Sequence, residues 1–280
     1  MNNRCEKVLK ALLSRCPEPL RNALERFLPE HERLALEKLP SFEESTPDEG
    51  YAHAGTLDAI HWSWLVPILK SYSTREQRLY LSALDRHTAE SIAGSLEIAR
   101  VEEKISAPAR DYLREQLLKA LSQPNSQILP PEYLPASTLN RLLLLSKKDL
   151  IRLIDFLALH DLSIEFRQIV ETKMLKKIYS FLSEEQKTFL QQITSSLEPN
   201  PFGKLGLDRW DGTPESLRTL LHRRGLMRLG AGLFGQDPDL IWTLCHQLDS
   251  GRGGVLMKLC TKETATETTK RQIEELMGKL

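Results

Sequence analysis

Apolar residues recur along this chain at spacings of three and four. Val8, Leu9, Leu12 and Leu13 do so near the start, and Leu113, Leu117 and Leu121 do so further on. That period places them on one face of an α-helix. No run alternates in the period-two manner of a strand, and no Asn-Gly or Asp-Gly turn separates two β-like runs. The pattern predicts an all-α fold. Three stretches break it. "PSFEESTPDEG" (40–50) is acidic and has no apolar period. "SQPNSQILPPEYLP" (122–135) holds four prolines, which exclude a continuous helix. "EPNPFGKLGLDRWDGTP" (198–214) mixes proline and glycine. These linkers predict an N-terminal helical segment (1–40), two helical blocks (57–122 and 135–197) and a C-terminal helical block (213–280).

One helix-sized pattern occurs twice. "TREQRLYLSAL" (74–84) aligns without gaps on "SEEQKTFLQQI" (183–193). Thr74 and Ser183 are N-cap candidates. Gln77 and Gln186 stand where a side chain reaches back to the cap's backbone N–H. Looser versions start at Ser146 and at Asp237-Pro238. Capped helices of similar length predict armadillo-like stacked helical units in two or three blocks. Ordinary capping in any all-α protein gives the same signs.

The stretch "IHWSWL" (60–65) concentrates two of the 4 tryptophans beside a histidine. One helix from Leu57 to Tyr72 would put Leu57, His61, Trp64, Leu65, Ile68 and Tyr72 on one face. Trp62 would lie about 100° from His61, beside Val66 and Leu69. Pro67 should bend that helix. Two readings stand. In one, His61 is a satisfied core histidine and both tryptophans are buried between blocks. In the other, the stretch is a partner-binding surface made by His61, Trp62, Trp64, Val66 and Leu69, with Trp64 on its core side and Trp62 facing the partner. Further on, Gly230 and Gly232 interrupt a good helical pattern. They predict close approach of a neighbouring helix, with that of Leu240, Leu244 and Leu248 the candidate.

Charge removes some classes of partner. Lys+Arg and Asp+Glu are equal at 38 each in 280 residues. A nucleic acid or an anionic membrane as main partner would call for a basic excess. The cysteines Cys5, Cys16, Cys245 and Cys260 have no C-x-x-C spacing, so no zinc or redox motif is expected. The apolar run Leu142–Leu145 ends at Lys147 and Lys148, far short of the about 20 residues that span a bilayer. The N-terminus is charged throughout and reads as an amphipathic helix, not a signal peptide. A reducing cytoplasm fits.

Candidate chemistry is sparse. The sequence has no P-loop, dinucleotide fingerprint, H-E-x-x-H or G-x-S-x-G. "GRGG" (251–254) reads as a turn between helices, or as an anion cradle at a helix N-terminus. Cys245 and His246 point about 100° apart on a helix, which predicts a core cysteine beside a surface histidine. His222 in "HRRGL" only approximates the H-x-x-K-G setting of histidine phosphotransfer domains. Arg218, His222, Arg223, Arg224 and Arg228 form a basic cluster. It reads as a solvated helix end before Gly225, where cations complement the dipole. The sharper reading makes Arg218, His222 and Arg223 a docking patch for an acidic partner. No metal or cofactor is expected.

The C-terminal stretch 223–280 resembles the C-terminal domain of the flagellar rotor protein FliG. Leu229, Leu233 and Gly235 follow that family's L-A-x-A-L-K-G segment. Leu240, Leu244, Leu248, Ser250 and Arg252 follow its x-E-L-x-x-x-I-L-x-N-M-S-x-R helix, and Glu267, Lys270 and Ile273 its closing helix. "IHWS" stands where the family carries E-H-P-Q, with only the histidine kept, and resembles what accessory proteins of type III secretion bases would carry there. The family's G-P-V turn and charged stator-facing helix are missing. "VLMKLCTKET" (255–264) offers only Lys258, Lys262 and Glu263.

The resemblance implies a switch-protein scaffold without torque generation. The expected function is a non-enzymatic structural adaptor in the cytoplasmic base of a bacterial type III secretion or flagellar-type export complex. It would bind protein components of a membrane-anchored ring, with no nucleic acid and no insertion into the membrane. A free-standing helical-repeat chaperone or regulator is the alternative, and a histidine phosphotransfer protein a third.

Overall fold

The computed structural model describes residues 3–39, 57–99, 103–122, 128–169, 172–193, 201–264 and 266–279. Among them every regular element is a helix and none is a strand. In chain order they are α1 (Asn3–Arg15), α2 (Glu18–Glu25), α3 (Glu30–Glu37), α4 (Leu65–Lys70), α5 (Thr74–Ser82), α6 (Arg86–Leu96) and α7 (Ala107–Leu121). Then follow α8 (Lys147–Phe166), α9 (Thr172–Phe181), α10 (Glu184–Ile193), α11 (Pro214–Leu233), α12 (Pro238–Gln247), α13 (Ser250–Leu259) and α14 (Thr266–Met277). Short 3-10 turns occupy Leu57–Ala59, Trp62–Trp64, Pro131–Tyr133, Thr138–Leu144 and Leu207–Arg209. The acidic stretch at 40–50 lies outside the described residues. None of the helices among the described residues is long and apolar enough to cross a membrane.

The chain divides into two compact units. The first comprises Met1–Leu144 and Asp237–Gly253, and the second Leu145–Gln236 and Gly254–Leu280. Both are discontinuous, so they cut across the blocks that the linkers outline. Leu144 to Leu145 divides the stretch 135–197, and α12 belongs with the N-terminal half of the sequence.

In the first unit α4 packs on α5, α6 and α7. Leu65, Leu69, Leu81, Ala89, Ile92 and Leu117 fill the space between them. The helix expected from Leu57 to Tyr72 is broken. It is replaced by two 3-10 turns and then α4, with the backbone extended at His61 (ψ 132°). Pro67 falls in the first turn of α4, where a backbone N–H has no intrahelical partner anyway, so it bends nothing. The α5 cap is Ser73, one residue before the expected Thr74, in a full capping box with Glu76. Gln77 is instead buried. Its amide donates to the carbonyls of Leu69 (2.9 Å) and Tyr72 (3.1 Å), closing the end of α4. Ser183 and Gln186 do cap α10 reciprocally (3.0 and 3.2 Å). The two aligned segments therefore share a sequence pattern but not the work of its glutamine.

The second unit is built on α8. Eleven of its 20 residues are buried, spread around the helix, and α10, α11 and α14 all pack against it. Close packing explains three glycines of α11. A Cβ on Gly225 would strike the Ile154 carbonyl, one on Gly230 the Leu259 side chain, and one on Gly232 Ile273. The glycines thus mark close helix approach as expected. The neighbours are α13 and α14, not the helix of Leu240, Leu244 and Leu248. α11 also runs through Gly225 to Leu233, so the basic cluster is not a helix end.

Candidate functional site

The tryptophan turn of the first unit is a tightly bonded knot. His61 is the N-cap of the 3-10 turn, and its Nδ1 accepts from the Ser63 N–H (3.3 Å). An Nδ1 that accepts carries no proton, so the Ser63 hydroxyl donates to it as well (2.8 Å). The Ser63 oxygen accepts in turn from the Ser250 N–H (2.8 Å), and the His61 N–H donates to the His246 carbonyl (2.8 Å). Trp64 Nε1 donates to the Leu248 carbonyl (2.8 Å). Its ring lies 4.2 Å from His246, and its Cζ2 would meet any Cβ placed on Gly253 at 2.8 Å. His61, Ser63 and Trp64 thus fasten the start of α4 to the α12–α13 corner.

Of the expected partner-binding residues here, Leu69 is at 0% exposure, so it belongs to the core and not to a surface. Trp62, Trp64 and Val66 are half-buried and rest on that core, with Trp62 also against the His61 ring (5.1 Å).

His246 corrects the expectation of a surface histidine. It is buried and stacks on Trp242 (3.7 Å) as well as Trp64. Its Nδ1 donates to the Trp242 carbonyl (2.8 Å). Burial pushes its pKa down from 6.5 to about 4, against the partial support of that hydrogen bond. Between those values the unfolded chain binds more protons than the folded one. Stability is therefore complete above about pH 6.5 and falls as the pH drops towards 4. We expect the urea midpoint of the parent chain to decline across that window and His246→Asn to decline less. Equal slopes would refute the assignment.

The "GRGG" stretch is the first turns of α13, not a loop between helices. Its amide ends are occupied. Asp249 accepts from the Arg252 N–H (3.1 Å) and guanidinium (2.5 Å). Burial alone would raise the Asp249 carboxyl, but these bonds and the charge of Arg252 outweigh it and hold its pKa below the ordinary value. The Ser250 N–H is taken by Ser63 and the Gly253 N–H by the Asp249 carbonyl (2.8 Å), so three of the first amides of α13 are engaged within the chain.

The basic cluster of the second unit is split. Arg224 and Arg228 are buried, contrary to a solvated end. Arg228 grips Asp161 through two bonds (3.0 and 2.7 Å) and Gln272 through a third (2.5 Å), with its guanidinium over the Phe202 ring. His222, expected outward, is hydrogen-bonded to Asp155 (2.7 Å) with a fifth of its side chain exposed. Arg218 and Arg223 are exposed, but five residues separate them, about 140° around the helix. Arg218, His222 and Arg223 are not one patch.

The N-terminal helices carry a surface that sequence reading missed. α2 has no buried residue. Leu20, Leu24 and Phe27, spaced four and three residues apart, are exposed, Phe27 at 87%. Val8 and Leu12 of α1 and Leu34 of α3 are exposed as well. The signal was present as helical apolar spacing, which by itself cannot say whether a face meets the core or solvent. No three or more His, Cys, Asp or Glu side chains gather to hold a metal among the described residues.

No family model, curated protein or solved structure gives a significant match to the chain.

Proposed function

We propose that the chain is a non-enzymatic adaptor that joins protein components of a membrane-anchored ring in the cytoplasmic base of a bacterial type III secretion or flagellar-type export complex. The observation that carries the reading is the outward apolar residues of the α1–α3 segment, above all Leu20 and Leu24 on α2, a helix with no buried residue, and Phe27 in the turn that follows it. Large apolar side chains left in water on one short segment mark a surface completed by another protein. The rotor-family resemblance of 223–280 and of "IHWSWL" supplies the kind of complex. We read the α4–α7 group as stacked units of the armadillo kind, an architecture that presents extended binding surfaces.

The test is Leu24→Asp with Phe27→Asp in the full-length chain. Helix content and melting temperature should stay at parental values, since neither side chain is in the core. Recovery of the chain with the purified secretion base should fall at least about tenfold, the scale of a lost apolar hot spot. Undiminished recovery would remove the adaptor reading's main support. A parent chain that never accompanies the base would favour the free-standing chaperone instead.

A further inference from the structure

We infer that the second unit carries a cleft that binds an acidic, aliphatic peptide segment of a protein partner. This rests on residues other than those behind the adaptor reading, and it stands or falls separately. The cleft runs along α11, facing the loop that holds Leu205. Its floor is apolar: Leu205, Leu220 and Met227. An unbranched methionine adapts to different aliphatic side chains. Arg224 builds the wall. Its guanidinium donates to the carbonyls of Phe202 (2.7 Å), Gly203 (3.2 Å) and Lys204 (2.5 Å), which pins the loop to α11.

Arg224 is therefore committed, and Arg223 is not. Arg223 lines the cleft, is exposed, and has no ion-pair partner among the described residues. Lys204 adds a second exposed cation on the pinned loop, also without an ion-pair partner there. Ser216 and Thr219 line the cleft's other end. Glu215, next to Ser216, is exposed there, and Asp211 is engaged by Thr213 (2.8 and 2.9 Å) and by Ser216. The unit as a whole holds 19 basic and 15 acidic residues, so its field favours the same sign of ligand.

An arginine fork matches a carboxylate in two parallel bonds. Arg223 beside apolar lining, with Lys204 one residue from Leu205, suits a carboxylate next to an aliphatic side chain. The pair does not suit a polyphosphate backbone, which needs a longer row of cations.

The test is fluorescence anisotropy with the full-length chain and a short fluorescein-labelled peptide alternating glutamate and leucine. Binding should saturate with a Kd on the order of 10–100 μM, ordinary for one small contact. Arg223→Glu should weaken it about tenfold or more, and Lys204→Glu by a smaller factor. Arg218→Glu makes the same charge change on the other side of α11 and should leave binding unchanged. A peptide with serine in place of leucine should bind at least about tenfold more weakly. No saturation with the parent chain overturns the inference. So does an equal loss in Arg218→Glu, which would mean attraction by net charge alone. Full binding by Arg223→Glu, or of the serine peptide, overturns it too.

Discussion

Asp161→Ala should cost the fold about 3–5 kcal/mol, the usual effect of leaving a buried charge without its partner. Asp161 is fully buried, and Arg228 is 2% exposed. The aspartate takes two bonds from Arg228 and lies 3.6 Å from the Arg224 guanidinium. Removing it strands two buried cations between α8 and α11. Urea unfolding monitored by circular dichroism reads the loss. A second variant separates ion pairing from packing. Asp161→Leu with Arg228→Met takes out both charges and should be far milder than Asp161→Ala, since well-packed apolar replacements of buried pairs are often neutral. If the double variant is as damaged as the single one, the pair's charges are not what holds the helices.

Trp64→Ala should destabilise by about 3–5 kcal/mol as well, from a large lost side chain and the cavity it leaves. The Leu248 carbonyl would lose its donor, and His246 one of its two stacking partners. Trp64→Phe keeps most of the ring and drops only the hydrogen bond, so it should cost about 1–2 kcal/mol. Trp62 makes none of these bonds to the α12–α13 corner, and Trp62→Ala should cost about 1 kcal/mol or less. Equal losses at the two tryptophans, measured by urea titration, would show that the turn has no internal division of labour.

Helical period and caps made much of the fold legible. Ser183 with Gln186, and Ser146 with Asp149, are local patterns whose partners lie three residues apart, and both form. Ser73 and Thr74 show the limit. Each starts an acceptable box, and the one with Glu76 forms, consistent with the preference of a helix N-terminus for a carboxylate. Gln77 was then free to serve α4, a use no local window contains.

Long-range partners were illegible for the same reason. Arg228 looks like one more cation in a row until Asp161, 67 positions earlier, comes beside it. The glycines of α11 announced a close neighbour without naming α13 or α14. At the candidate surfaces, spacing identified apolar faces. Which of them meet protein is decided by the assembled units, as buried Leu69 and exposed Phe27 illustrate.

The discontinuity of the first unit bears on how the chain is made. The carbonyl that receives the Trp64 indole is 184 residues downstream. A ribosome therefore translates 145–236, about three-quarters of the second unit, before the residues that complete the first one emerge. Until then Trp64 waits without Leu248 or His246, and a fragment ending at Leu144 never acquires them. Cutting the gene between Leu144 and Leu145 would yield an incomplete N-terminal half. Dissection of this protein has to carry 237–253 along with it.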